Sequence, residues 1–184
     1  MITKNFNWKH LKNDTYYDFI KELICNEKSK IIAEIGVERG KMARFILRSE
    51  AQEFIEQYWA IDSWATSIQW ENHTQEDWEN IYRDFCKYYP WFPALKIFRM
   101  PSVEASAYFS KNFKGYFDFV FIDACHTYES VKKDIKAWYP LVKKGSLLTG
   151  HDYCSHFPGV KKAVDEIFGS DKEVEYEVWM HRKS

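Results

Sequence analysis

The sequence predicts an α/β protein with a doubly wound, mostly parallel sheet of six to seven strands and helices on both faces. Three observations predict it. Short apolar, β-branched runs alternate with segments of helical period along all 184 residues. These runs stop on glycine or aspartate, at Gly36, Asp62, Asp123 and Asp152. No internal repeat, low-complexity tract or Pro/Gly/Ser-rich linker divides the chain, whose length suits one domain, 1–184, with a sizeable core. In such folds ligands bind beyond the carboxyl ends of the strands, so function is expected at those four residues.

Over 15–26, Tyr17, Ile20, Leu23 and Ile24 share a helical face behind the capping candidates Asp14 and Thr15. Residues 30–36, KIIAEIG, form a buried strand that ends at a glycine turn, and Met42, Phe45 and Ile46 resume the helical period after Gly40. Residues 58–62, YWAID, are a second strand. Beyond a loop, Thr74-Gln75-Glu76-Asp77 is a capping-box pattern, and Trp78, Ile81, Tyr82, Phe85 and Tyr89 carry a helix as far as Pro90. A third strand over 95–98 and a helix over 102–110 come next. FDFVFID at 117–123 is the clearest strand; the helix after it shows Tyr128, Val131, Ile135 and Trp138 on one face and ends near Pro140. Lys143-Lys144-Gly145 reads as a basic helix end with a glycine stop before a fifth strand, SLLTGHD, at 146–152. Val160, Ala163, Val164, Ile167 and Phe168 make the last helical face, and 173–180 a single closing strand.

Charge nearly cancels, with 26 Lys+Arg against 27 Asp+Glu and a pI near 6.6. A protein that holds nucleic acid by neutralising phosphates shows a basic excess, so that class is set aside. No apolar run has the roughly 18–20 residues that span a bilayer, and the amino terminus lacks the apolar stretch of a signal peptide, so a cytoplasmic protein without membrane contact is expected. Cys25, Cys86, Cys125 and Cys154 form no CxxC pair and read as free thiols. Aromatic residues, 18% of a chain with 8 Trp, are the outlier. Trp78, Tyr82 and Phe85 obey the helical period, whereas Trp64 and Trp70, with His73, lie in the loop after Asp62 and are expected to cover a bound ligand.

Two groups of residues carry chemistry. Glu34-Ile35-Gly36-Val37-Glu38-Arg39-Gly40 has the form E-x-G-x-x-x-G at a strand-to-helix turn. Its glycines admit close backbone approach, and its carboxylate suits a cationic or hydroxylated group. Asp62, some 20 residues on, ends the second strand, where a doubly wound fold hydrogen-bonds ribose hydroxyls. Together they point to a nucleoside-like ligand. The second group is Asp123, His126, His151 and Asp152 at the ends of the fourth and fifth strands. Two carboxylates there suit a shared hard cation, and His126 suits a general base, since an imidazole of pKa near 6.5 is neutral enough at pH 7 to accept a proton. Cys125, His126, His151, Cys154 and His156 also raise a zinc reading, which the poor chelate spacing of adjacent Cys and His weakens.

The stretch FDFVFIDACHTYESVKKDIKAWYPLVKKGSLLTGHDY, with AID-x-W before it and PGVKKAVDEIF after it, resembles class I S-adenosylmethionine-dependent methyltransferases, in particular a small FIDxxHxYE/GHDY family related to macrocin-type and catechol-type O-methyltransferases. The resemblance runs from about Ile31 to Phe168 and implies a Rossmann-like methyltransferase domain, with residues 1–28 as a helix or lid over the acceptor site. It implies that S-adenosylmethionine is held by Glu34, Gly36 and Gly40 at its methionine end, by Asp62 at its ribose, by Ser63 and Trp64 beside it, by Met100 and Ser102 around its adenine, and by Asp123. It further implies Asp123, His126 and Asp152 as catalytic residues, and Asp123, Asp152 and His151 as holders of a Mg²⁺ ion if one is used. Met42 and Met100 depart from the family's Ser/Thr and Gly, and Lys144-Gly145-Ser146 from its KPGG turn. The expected acceptor is a hydroxyl of a small molecule or glycan. Two other classes stay open: a hydroxylase- or hydrolase-like enzyme on the same scaffold, and a non-catalytic cofactor-binding module, favoured if Asp123, His126 and Asp152 do not converge. A homo-oligomer is compatible with the chain, because the fold usually closes with two final strands and one is visible; the other is missing, shortened or supplied by a partner.

Overall fold

The computed structural model describes residues 16–66 and 72–184. Asp14, Thr15, Trp70 and the first part of the expected lid lie outside them. The elements in chain order are α1 (Tyr16–Glu27), β1 (Ile31–Ile35), α2 (Lys41–Leu47), β2 (Gln57–Asp62), α3 (Gln75–Cys86), β3 (Leu95–Arg99), α4 (Ser102–Asn112), β4 (Phe117–Ile122), α5 (Tyr128–Trp138), β5 (Val142–Gly150), α6 (Pro158–Phe168), β6 (Glu173–Glu175) and β7 (Val178–Arg182).

The seven strands form one sheet in the order β3-β2-β1-β4-β5-β7-β6. β1 to β5 run parallel, while β7 lies antiparallel to both β5 and β6. The chain steps outward from β1 through β2 to β3 and then returns to β4 beside β1, so the winding reverses between β1 and β4. A crevice opens at such a reversal, beyond the carboxyl ends of the strands.

Strand residues alternate between two cores, as a period of two requires. Ile32, Phe119 and Phe121 face one core with Phe19, Ile20, Leu23 and Ile24 of α1 and Phe85 of α3. Ala33, Ile35, Val120 and Ile122 face the other, with Phe109 of α4, Trp138 of α5 and Val164 of α6. A sheet covered on both faces explains why β1 and β4 are continuous apolar runs. The Thr74 capping box is present: the Thr74 hydroxyl accepts from Asp77 N–H and Asp77 accepts from Thr74 N–H.

Three expectations are corrected. The helix α3 stops at Cys86, and 3₁₀ turns cover Tyr89–Trp91, because Pro90 offers no amide hydrogen to continue it. Lys143-Lys144-Gly145 is not a helix end: α5 stops at Trp138, a 3₁₀ turn holds Pro140, and the three residues belong to β5. They bulge from it, since Phe117 pairs with Val142 but Phe119 pairs with Leu147. The closing segment is two strands, and no partner is needed to complete the sheet. Tyr176 and Glu177, at φ 51° and 63°, form the two-residue turn between β6 and β7, the left-handed pair that matches hairpin twist.

Candidate active site

Beyond the carboxyl ends of β1, β2, β4 and β5 lies an open cavity of about 720 Å³, within the range of small-molecule sites. Glu34, Gly36, Asp62, Ser63, Ser102, Asp123, His126, His151 and Asp152 line it. Gly40, Trp64 and Met100 do not.

The β1 turn comes first. Gly36 sits at φ +88°, and a Cβ there would stand 2.1 Å from the Asp123 carbonyl oxygen; only glycine lets this turn pass the end of β4. Gly36 N–H donates to Ile61 O and Asp123 N–H to Ile35 O, extending the sheet by one rung on each side of β1. Gly40 starts α2 in the left-handed region, and a Cβ there would strike the Phe85 ring at 2.2 Å. Gly40 therefore serves packing against α3.

Asp62 holds two loops together. Its Oδ2 accepts from Val37 N–H at 2.8 Å and Glu38 N–H at 2.9 Å, and its Oδ1 accepts from Trp64 N–H at 2.8 Å. A carboxylate has about four acceptor positions, so one remains for a ligand hydroxyl. Trp64 does not cover the cavity: its side chain is 0% exposed, packs between Tyr82 and Phe85, and donates its indole N–H to Glu38 O. A φ of 44° at Trp64 turns the ring inward. Met100 likewise packs with the α4–α5 core, leaving Pro101 and Ser102 at the wall.

Glu34 is buried under the cavity floor, where the Tyr58 hydroxyl donates to its Oε2 at 2.8 Å. Burial pushes its carboxyl well above the usual range against that hydrogen bond, and Asp123 and Asp62 push the same way.

At the other side of the β1–β4 crevice, Asp123, His126 and Asp152 converge. His126 Nε2 lies 2.7 Å from Asp152 Oδ2 and 3.6 Å from Asp123 Oδ1, in a side chain 16% exposed. Burial disfavours the charged imidazole, but the two carboxylates outweigh it and raise His126 to about 9. This upward shift runs against the expectation of a largely neutral His126 at pH 7. Burial also opposes the charge on Asp152, yet His126 and His151 hold it well below the usual carboxylate range. Asp152 itself adopts φ 61°, a conformation costing roughly 1–3 kcal/mol that persists at functional sites when neighbours enforce it.

His151 does not join Asp123. Its Nδ1 lies 3.2 Å from Asp152 Oδ1, and its ring stacks on Tyr16 at 3.9 Å. Among the described residues the groups able to share a cation are Asp123/His126/Asp152 and His151/Asp152/Glu177. The expected Asp123/Asp152/His151 set is therefore corrected, and no cysteine belongs to either group, which removes the zinc reading. His73 lies against Trp78.

Some site residues escape the sequence. Tyr16 and Tyr17 bring α1 to the cavity wall. Gly159, at the start of α6, passes so close to the His126–Tyr128 backbone that a Cβ would meet His126 O at 2.6 Å. Asp134 is a carboxylate on the apolar face of α5, buried with Val131, Ile135 and Trp138; a charge within an apolar stripe is the signal that reveals it.

Residues 33–153 match the model of a family described as a methyltransferase domain. No curated protein sequence matches the chain. Among solved structures, an O-methyltransferase from Bacillus cereus in complex with SAH superposes with TM-score 0.59 at 13% identity, over 93% of this chain and 81% of that one. The O-methyltransferase NovP gives 0.60 at 19%, over 92% and 79%. CalS11, a TDP-rhamnose 3'-O-methyltransferase of calicheamicin biosynthesis, gives 0.60 at 16%, over 89% and 77%. At these identities the structures establish a shared fold, whereas the family match covers about two thirds of the sequence and includes the strands that carry Glu34, Asp62, Asp123 and Asp152. The chain belongs to the methyltransferase-domain family.

Proposed function

We propose that this protein transfers a methyl group from S-adenosylmethionine to a hydroxyl of a small molecule or sugar. The observation that carries the proposal is the convergence of Asp123, His126 and Asp152 at one side of a cavity whose other wall is the Asp62-clamped turn after β1. A non-catalytic module has no need of that convergence.

The residues present fit the methyl donor. Asp62 keeps an acceptor position for a ribose hydroxyl, and Asp123 and Asp152 give the floor an acidic character suited to an ammonium and a sulfonium. S-adenosylmethionine supplies, when bound, a methyl on a positively charged sulfur and leaves as S-adenosylhomocysteine. The chain must then align an acceptor oxygen behind that methyl and take up its proton. His126 Nε2 and Asp152 Oδ2 stand 2.7 Å apart, and the two carboxylates favour the protonated imidazole. The imidazole accepts the hydroxyl proton only in the fraction that has first released its own proton to solvent, and Asp152 then stabilises the imidazolium that forms.

The same residues do not fit Mg²⁺. A hard cation wants oxygen donors in near-octahedral array, whereas here an imidazole nitrogen lies between the two carboxylates and is already paired with one of them.

Calorimetric titration with S-adenosylhomocysteine tests the donor assignment. We expect saturable binding to the wild type and a loss of about tenfold or more in Asp62→Ala, which removes both the ribose acceptor and the clamp. Absence of binding to the wild type overturns the proposal, and undiminished binding in Asp62→Ala removes Asp62 from it. The acceptor is sought by incubating the protein and the donor with simple phenols, catechols and nucleotide sugars and following S-adenosylhomocysteine release.

A further inference from the structure

We propose that Asp134 selects the base of the methyl donor by accepting a hydrogen bond from the 6-amino group of adenine. The inference rests on the donor assignment above and adds a residue to it.

The starting point is the hydroxyl of Ser102, the expected adenine neighbour. It donates to Asp134 Oδ1 at 2.5 Å and accepts from Trp138 Nε1–H at 2.9 Å. A serine hydroxyl has a single hydrogen, so Ser102 has none left for a ring nitrogen. Its role is to orient Asp134.

Asp134 is 5% exposed, and both it and Ser102 line the cavity at the wall made by α4 and α5. Only its Oδ1 has a donor among the described residues, and the one partner found for it among them is Ser102. Burial raises its carboxyl to about 6 against the Ser102 bond, which still leaves it ionised at neutral pH. Oδ2 makes no hydrogen bond among the described residues and opens on the cavity. A ligand that brings an N–H to Oδ2 meets a free, oriented acceptor there.

Among purine edges, adenine presents an amino group at position 6 where hypoxanthine and guanine present a carbonyl oxygen. A fixed carboxylate binds the first and repels the second. Val103 and Glu104 lie in the first turn of α4, where N–H groups lack acceptors inside the helix; they line the same wall and suit the unprotonated N1 of adenine.

The test is calorimetric and needs no turnover. S-adenosylhomocysteine and its 6-oxo analogue, S-inosylhomocysteine, are titrated into the wild type, Asp134→Asn and Ser102→Ala, with thermal melting to confirm that each variant is folded. We expect the wild type to prefer the 6-amino compound by about 100-fold. In Asp134→Asn, whose amide can turn its NH₂ toward a carbonyl, the preference falls to within about fivefold. Ser102→Ala keeps the carboxylate and hence keeps the direction of the preference; if Asp134→Asn does not fold, loss of preference in Asp134→Ser replaces that arm. Equal binding of both compounds by the wild type, or an unchanged ratio in the position-134 variants, overturns the inference while leaving the donor assignment standing. Failure of the wild type to bind S-adenosylhomocysteine overturns both.

Discussion

The two ends of the sheet use carboxylates in opposite ways. At the amino-terminal end, Asp118 of β4 accepts from Lys30 N–H and Ile31 N–H through Oδ2 and from Lys143 Nζ through Oδ1 at 2.6 Å. It ties β1, β4 and β5 together and has little capacity left. At the carboxyl end, Glu34, Asp62, Asp123, Asp134 and Asp152 line one cavity, where among the described residues His126 and His151 pair with Asp152. Three residues without glycine's freedom, Glu38, Trp64 and Asp152, hold positive φ there. One end is satisfied by the fold itself. The other keeps acceptor capacity, like charge and strained backbone in reserve, which is what a site for a cationic, hydroxylated ligand requires.

The sharpest way to break this contrast is at His126, the cation of the carboxyl end. His126→Ala should lower kcat by about 10²–10⁴-fold while S-adenosylhomocysteine binding changes by only a few-fold; unchanged turnover would remove His126 from the chemistry. In the wild type, kcat/KM should rise with pH up to about 9, where His126 loses its proton. Asp152→Asn should bring that break down toward the ordinary histidine value near 6.5. A profile flat from pH 6 to 10 would exclude a proton-accepting imidazole. Stability carries the opposite sign. The folded pKa of His126 exceeds the unfolded one, so its pairing stabilises fully below about 6.5 and is lost as pH rises through about 9.

A smaller effect is expected at the other end. Asp118→Ala should cost about 1–2 kcal/mol in urea unfolding, since it releases two amides and a partly exposed lysine. Its affinity for S-adenosylhomocysteine should stay within about twofold of the wild type, because no ligand reaches that end. The smallest effect belongs to metal removal. With an imidazole between the carboxylates, EDTA should change turnover by less than about twofold, and a loss restored by added Mg²⁺ would show that a cation displaces His126.

Much of the carboxyl end was legible because strand ends announce themselves. A period of two that stops on Gly36, Asp62, Asp123 or Asp152 gives both the strand and the residue that projects beyond it. What stayed hidden was direction. No sequence pattern assigns positive φ to Trp64, so its ring was expected over the cavity although it packs against Phe85. Nor does any pattern show that His151 pairs with Asp152 and stacks on Tyr16. Tyr176 and Glu177 make a hairpin without the Gly or Asn that normally signals one, which merges β6 and β7 into one apparent strand. Asp134 was visible as a charge on an apolar face, but its partner Ser102 lies 32 residues away and only the packing of α4 on α5 joins them.

The clamp at Asp62 has a thermodynamic consequence. Because one carboxylate already holds Val37, Glu38 and Trp64, those backbone positions after β1 and β2 are fixed when the protein folds. An arriving ligand finds that wall set, and none of its binding free energy is diverted into freezing those backbones. Affinity on this side of the cavity should therefore show a small entropic penalty from backbone ordering.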